Sequence, residues 1–395
     1  MSANLLQARP RRRAEILVSG PLQRGPAQVH LVLDPNTGHQ LELAPKVHFV
    51  LDLLDGRRTL GEIGEAYTAR FGTLLGAPQW RQLLGLLYGR RLLDGPPAEP
   101  APGPGPQPQP GPGPRPTLLD GRLRLAADTP ALVARLHRAT GPLRDRRVLA
   151  ILVVLIAAML ADLARRLPEL ASGTAELAHR PLSLTAVLLA VWVSMALHEV
   201  AHALAGHAAG GTVTELGVRW RLPMAYLYCV VADVRFLPSR TRQLVTAGAG
   251  VLMNLALLLP VDLARLLLGD HPALDGLLLI GAAAGLVNLL PLPPLDGYRI
   301  LEYLLGTTHL AAESRRFAML AAARVVRCGS GVRAYPTRAR LVFGGYALGW
   351  TLLTGALLLA LAQVGWVLLV SAALLVVSPL LHLLNDRHHR KEGRS

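Results

Sequence analysis

The run from Leu182 to about Ala209, LSLTAVLLAVWVSMALHEVAHALAGHAA, decides how this chain is read. It is apolar almost throughout, yet Leu197-His198-Glu199-Val200-Ala201-His202-Ala203 sits near its end. On a helix His198 and His202 are one turn apart and share a face. Two imidazoles at that spacing are able to hold one Zn²⁺, with Glu199 as base on a zinc-bound water. A bare His-Glu-x-x-His string also arises by chance on solvated helices, but the flanks here are apolar. Ionisable groups inside a membrane span cost about 2.5–3.5 kcal/mol each on insertion scales, so such groups are functional by default.

The wider composition agrees with a membrane chain. The 395 residues are 51% hydrophobic and carry a net charge of +15, with positive mean hydropathy. Such a basic balance is common among nucleic-acid binders. Here, however, the arginines cluster beside apolar spans, which reads as topology and contact with anionic membrane lipid, with no nucleic-acid partner. Cys229 and Cys328 form no metal pattern and no disulfide framework. Met1 to Arg13 is polar and basic with no apolar segment behind it, so no secretory signal is read there.

Six apolar spans are expected near residues 148–167, 182–208, 244–264, 275–296, 341–362 and 364–384, each close to the roughly 20 residues that cross a bilayer. Arg219, Arg221, Arg235, Arg240 and Arg242 lie between the second and third. Arg299, Arg315, Arg316, Arg324, Arg327, Arg333, Arg338 and Arg340 lie between the fourth and fifth. The alternate connections carry only Arg180 and Arg265, with Arg165 and Arg166 as the exception. The positive-inside rule then sets both termini and the Arg-rich connections in the cytoplasm of a multi-pass plasma-membrane protein. It also sets the His pair in the cytoplasmic half of its span.

A zinc protease site needs a third ligand. Ala208 occupies the place where one continuation of the motif has a third His, His207 is one residue off, and Glu215 lies in a loop candidate. The better candidate is Asp296. It follows Asn288-Leu289-Leu290-Pro291-Leu292-Pro293-Pro294-Leu295, whose prolines break the helix at the membrane edge. Freed backbone groups at that depth must be buried in protein or line a wet cavity. Asp296 therefore lands in a polar pocket at the depth of the His pair. Between these motifs, Thr212–Val218 and Tyr226–Val234 read as a β-hairpin at the membrane surface, with Asp233 near its end.

His198-Glu199-x-x-His202 on one span and Asn288-x-x-Pro291-x-x-x-x-Asp296-Gly297 on another together resemble the site-2 protease family of intramembrane zinc metalloproteases. The likeness extends to Ala247-Gly248-Ala249-Gly250 with Asn254, where Ala249 stands in a proline's usual place, and covers about residues 182–300. The resemblance implies one Zn²⁺ per chain held by His198, His202 and Asp296, with Glu199 as catalytic base and Asn288 facing substrate or oxyanion. It also implies that the hairpin presents substrate as an added strand.

Ahead of the membrane part, residues 1–26 read as a flexible basic arm and 27–95 as a small α+β domain. Val29–Asp34 alternates as a strand, Pro35–Gly38 turns, and His39–Leu43 returns. Helical spacing follows through Val47, Val50, Leu51 and Leu54, then a capping box at Thr59 and Glu62, then a third helix from about Pro78 to Leu93. This winged-helix-like order is similar to PqqD-type recognition elements, the closest likeness being Leu51–Gly56 and Thr59–Ile63. In that family the domain binds the leader of a ribosomally made peptide. Residues 96–116 are a Pro/Gly-rich linker, 117–147 a basic membrane-surface segment, 148–384 the transmembrane domain and 385–395 a basic tail.

The expectation is a polytopic α-helical membrane protein with a site-2 protease-like core. Its activity would be zinc-dependent endopeptidase cleavage of a peptide or single-span protein substrate, with peptide export or modification partners. Two alternatives stand beside it. One is cleavage of a membrane-bound signalling protein; the other is a non-catalytic adaptor that docks modified peptides for export. A dead protease commonly loses its Glu, and Glu199 is present. A transporter is disfavoured, because no internal repeat with paired broken helices is found.

Overall fold

The N-terminal strands form where apolar and polar residues alternate. The computed structural model describes residues 5–35, 38–95, 120–126, 128–141, 145–221, 224–231, 234–325 and 331–364. Strands Leu17–Val18 (β1), Leu22–Arg24 (β2), Ala27–Leu33 (β3) and Gln40–Leu43 (β4) make one small sheet. β1, β2 and β4 each pair antiparallel with β3; His30 faces Leu43 and Leu33 faces Gln40. Helices Pro45–Leu53 (α1), Leu60–Phe71 (α2) and Ala77–Gly89 (α3) follow. The Thr59–Glu62 capping box is fully formed, and α2 ends at Gly72 in the left-handed region. Trp80, Leu51, Leu54, Leu60, Ile63 and Leu87 are sealed between these elements.

Part of the expected basic arm is ordered. β1 and β2 lie within residues 1–26, and Ile16 joins the domain core. Arg12 reaches Asp52 at 3.1 Å and Arg13 reaches buried Asp34 at 3.3 Å. Carboxylates facing the arm give its guanidinium groups fixed partners.

The stretch assigned to the membrane surface also contains secondary structure. Asp120–Arg124 forms a strand (β5), and Asp128 caps a helix, Thr129–Ala139 (α4), by accepting from the Ala131 amide. β5 pairs with Val213–Arg221 (β6), which pairs with Met224–Val231 (β7), all antiparallel. The hairpin expected between the second and third spans is therefore the larger part of a three-stranded sheet. Val133 of α4 packs on Ala203 and Val213.

The helices of the apolar region are Arg146–Arg165 (α5), Leu167–Glu176 (α6), Pro181–Ala208 (α7), Arg240–Ala256 (α8), Leu259–Leu268 (α9), Pro272–Val287 (α10) and Asp296–Leu305 (α11). Proline stands in the first turn of α6, α7, α9 and α10, where its missing N–H costs no helical bond. Ile156, Met159, Leu170, Val251, Leu255 and Leu278 form the centre of this bundle, while many other leucines and valines face outward. A helix apolar on every side suits lipid rather than water.

Four described helical stretches are long and apolar enough to cross a membrane: Arg146–Arg165, Pro181–Ala208, Arg240–Leu268 (α8 and α9 together) and Thr337–Ala360. Pro272–Val287 is apolar but has only 16 residues. The expected fourth span thus ends early, because the turn before Asp296 interrupts it. The expected sixth span, 364–384, lies almost wholly outside the described residues, as do the linker 96–116 and the tail 385–395.

The chain divides after His309. The second unit contains Leu310–Val325 (α12), a short 3-10 turn at Gly331–Ala334 and Thr337–Val364 (α13). Tyr335 sits 5.1 Å from Phe317 and 6.2 Å from Phe343, ring to ring. Part of the Arg-rich connection read from the sequence is therefore helical.

Candidate metal centre

α7 carries His198 and His202 on one face, their rings 4.7 Å apart and nearly perpendicular. Asp296, the first residue of α11, meets them from 94 positions beyond His202. Its Oδ2 lies 2.8 Å from His198 Nε2 and 3.0 Å from His202 Nε2, and the two Nε2 atoms are 3.1 Å apart. All three residues are buried. The arrangement rests on two close backbone approaches. At Gly250 of α8 a Cβ would collide with the His198 ring, and at Gly297 it would collide with the Leu289 carbonyl. The Gly297 N–H donates to the Asn288 carbonyl at 2.7 Å, closing the Pro-broken turn that delivers Asp296.

The surrounding groups hold the imidazoles in place. The Thr246 carbonyl accepts from Nδ1 of His202 at 2.7 Å. That bond holds the proton on Nδ1 and turns the Nε2 lone pair toward Asp296. Asn254 Nδ2 stands 3.1 Å from Nδ1 of His198, and Ser194 Oγ stands 3.1 Å from Asn254 Oδ1. Amide oxygen and nitrogen are assigned from such networks. As placed, Asn254 donates from Nδ2 toward Nδ1 of His198 and also reaches Met195 Sδ at 3.4 Å. Only the turned amide, with Oδ1 on the ring, would take the Nδ1 proton and free Nε2 of His198 as well. Three acceptors would then face one another, an arrangement that a shared proton or a cation holds together. Ligand atoms in a tetrahedral zinc site with bonds of about 2.0–2.1 Å stand about 3.3 Å apart. The observed separations are close to that, and two His with one carboxylate suit a divalent metal ion.

Glu199 stands beside this group and is half-buried. Its carboxylate accepts the Cys229 N–H of β7 at 3.2 Å. Trp192, seven residues earlier on the same face of α7, donates to the Ala225 carbonyl of β7 at 2.8 Å. The outer edge of the hairpin therefore runs along the helix face that bears Glu199. Burial and the nearby Glu199 carboxylate push the Cys229 thiol up to about 12, so it stays protonated.

The other candidates take other partners. Asn288 folds its side chain back onto the Ala284 carbonyl at 3.2 Å and supports the Asp296 turn through its main chain. Glu215 sits on β6, paired with Arg124 and 3.3 Å from the Tyr228 hydroxyl. His207 packs edge-on against His137 at 4.9 Å. Asp233 lies outside the described residues. Asn254 and the Thr246 carbonyl were not expected as orienting groups. A lone Asn inside an apolar span is costly unless paired, and that was the signal available.

No family model, curated protein or solved structure matches this chain.

Proposed function

We propose that this chain is a membrane-embedded zinc metalloendopeptidase of the site-2 protease type, multi-pass in the plasma membrane with both termini cytoplasmic. The observation that carries the reading is the convergence of His198 and His202 with Asp296, together with Glu199 one residue from the first ligand.

His198 Nε2, His202 Nε2 and an Asp296 carboxylate oxygen would hold the ion. Bound there, Zn²⁺ supplies Lewis acidity, polarising the scissile carbonyl and acidifying water. Glu199 takes the proton of the attacking water and hands it to the leaving amide nitrogen, so one peptide and one water give an acid and an amine. Asn254 and Thr246 keep the imidazoles in one tautomer through turnover. β7 lies beside Glu199, and a substrate laid along it as an added strand would bring an extended amide to the base. Asn288 is the candidate donor to the oxyanion, reached by rotation away from Ala284.

The N-terminal domain, with its sheet followed by three helices, supports a PqqD-like module. On that reading the substrate is a ribosomal peptide precursor delivered from the cytoplasm.

Zinc content of detergent-purified protein and cleavage of a candidate precursor test the reading together. Wild type is expected to hold one zinc and Asp296→Ala to lose it. Glu199→Gln is expected to keep zinc while cleavage falls by about 10²–10⁴-fold. Full zinc occupancy after Asp296→Ala would move the third ligand elsewhere, and wild-type cleavage by Glu199→Gln would remove the base.

A further inference from the structure

The helix that delivers Asp296 is tied at its other end to the N-terminal domain. α11 stops at Gly306, a left-handed residue with φ of 63°. The next residues run alongside β2. The Gln23 N–H donates to the Gly306 carbonyl at 2.8 Å, and the Gln23 carbonyl accepts from the Thr308 N–H at 3.1 Å. One residue thus reaches the carbonyl before and the amide after its neighbour Thr307, which is the bonding of a parallel strand pair. Thr307 and Thr308 are buried at this seam. Beside it, His309 Nε2 lies 3.6 Å from Glu42 of β4.

The same strap is held from the membrane part. Arg235, just beyond the β6–β7 hairpin, donates to the Thr307 carbonyl at 3.0 Å. It also pairs with buried Glu302 of α11, and its guanidinium lies 5.4 Å from the Tyr303 ring centre. α11 has ten residues, so it spans about 15 Å. A helix that short and that well anchored moves as one piece. A shift at Gly306–Thr308 is therefore a shift at Asp296.

We infer that the main-chain seam between β2 and Gly306–Thr308 positions Asp296 in the metal centre, which makes Gln23 a positioning residue for a site built by other elements. This rests on His198, His202 and Asp296 being the zinc ligands. A domain joined to the membrane part only through its Pro-rich linker would leave zinc affinity indifferent to Gln23. The seam makes domain docking and metal binding two sides of one equilibrium.

The test is zinc affinity of the full chain in detergent, measured by competition with a chromophoric chelator. Gln23→Pro removes the N–H that reaches Gly306, and proline is tolerated where a strand's N–H points away from its sheet. Gln23→Ala keeps the main-chain bonds. We expect Gln23→Pro to bind zinc about tenfold more weakly, within the usual range of coupling between sites, and Gln23→Ala to match wild type. Equal affinity in all three chains overturns the inference. Should Gln23→Pro fail to fold, amide exchange on the wild type decides. Coupling is reciprocal, so zinc must slow exchange at the Gln23 and Thr308 amides. Exchange there that ignores zinc overturns it too. A wild-type chain that binds no zinc sinks the metal reading itself, whereas zinc lost from Asp296→Ala but kept by Gln23→Pro sinks only the seam.

Discussion

Two buried polar clusters share one helical bundle and solve burial in opposite ways. In the first, His198, His202 and Asp296 turn ring nitrogens and a carboxylate oxygen toward a common point, and the Thr246 carbonyl and Asn254 outside the cluster hold the rings. In the second, Arg265 of α9 supplies its own cation to a ring of carboxylates. Its Nε donates to Asp275 Oδ1 at 2.6 Å, and its Nη2 lies 3.0 Å from Asp270 and 3.8 Å from Glu169. Arg265 and Asp275 are nearly inaccessible, whereas the other two carboxylates are exposed. The buried carboxylate, Asp275, is paired one to one with the buried guanidinium, while Asp270 and Glu169 stand in the open, and the cluster joins α6, α9 and α10. The His198–His202–Asp296 cluster brings three candidate ligand atoms to one point, where a metal ion could be held. Burial alone does not separate a site from a staple; the sign of the groups facing each other does.

The largest effect that tests this contrast is expected at the staple. Arg265→Met leaves Asp275 buried and uncompensated, which costs about 3–5 kcal/mol. Arg265→Met with Asp275→Asn should recover most of that, since neither remaining group carries charge. Zinc content per folded chain should be unchanged in both. These outcomes are read from unfolding midpoints in detergent beside metal analysis. A single variant that keeps full stability would mean the guanidinium is no staple, and a folded variant that loses zinc would merge the two clusters.

At the metal cluster a smaller effect is expected from Asn254→Ala. On the proposed reading the three ligands remain, but His198 loses the amide that holds its ring. Removing such an orienting partner typically weakens metal binding about 10–100-fold. Asn254→Asp, whose oxygen still accepts from Nδ1, should retain more affinity than the alanine variant. Chelator competition measures both. Equal affinities in all three chains would show that His198 needs no outside orientation, and the contrast would lose one of its terms.

The parts of this site that were legible in the sequence are those with local spacing. His198 and His202 are four apart on an apolar helix, which suffices to set them on one face. Asp296 was legible for a different reason: prolines next to an apolar span force backbone groups into a polar pocket. The hairpin and the capping box were likewise written in short-range chemistry. What could not be read depends on long-range contact. Arg124 and its neighbours look like one more basic stretch, and only pairing with β6 makes them a strand. β1 and β2 have two and three residues, too few for a period. The expected span 244–264 has a turn at Leu257–Leu258, with Pro260 opening the next helix. The early end of α10 was the price of reading 275–296 as one apolar run. The contact of the Asn288 side chain with the Ala284 carbonyl is another that spacing in the sequence does not reveal.

The smallest effect is expected where carboxylates meet partners in water, and it measures how much of the contrast burial creates. In the N-terminal domain Glu62 accepts the Thr59 N–H at 2.7 Å, and Thr59 Oγ1 accepts the Glu62 N–H at 3.2 Å. Asp55 accepts the amides of Arg57 and Arg58 at 2.8 and 3.0 Å. Backbone donors favour the ionised forms, so both carboxyls are held below their ordinary values of 4.5 and 3.8. A depressed value in the folded state means stability that is present above the unfolded pKa and lost as pH falls through the folded one. Protection of α2 amides in the full chain, corrected for intrinsic exchange, should therefore be flat from pH 7 to 5 and decline below about pH 4. Thr59→Ala should cost about 1 kcal/mol at neutral pH, and Glu62→Gln should flatten the acid decline. If Glu62→Gln leaves that decline as steep as in wild type, Asp55 carries it. The exposed capping box would then contribute through the Thr59 hydroxyl alone, and the exposed charge that matters to this domain would be that of Asp55 on the Arg57 and Arg58 amides.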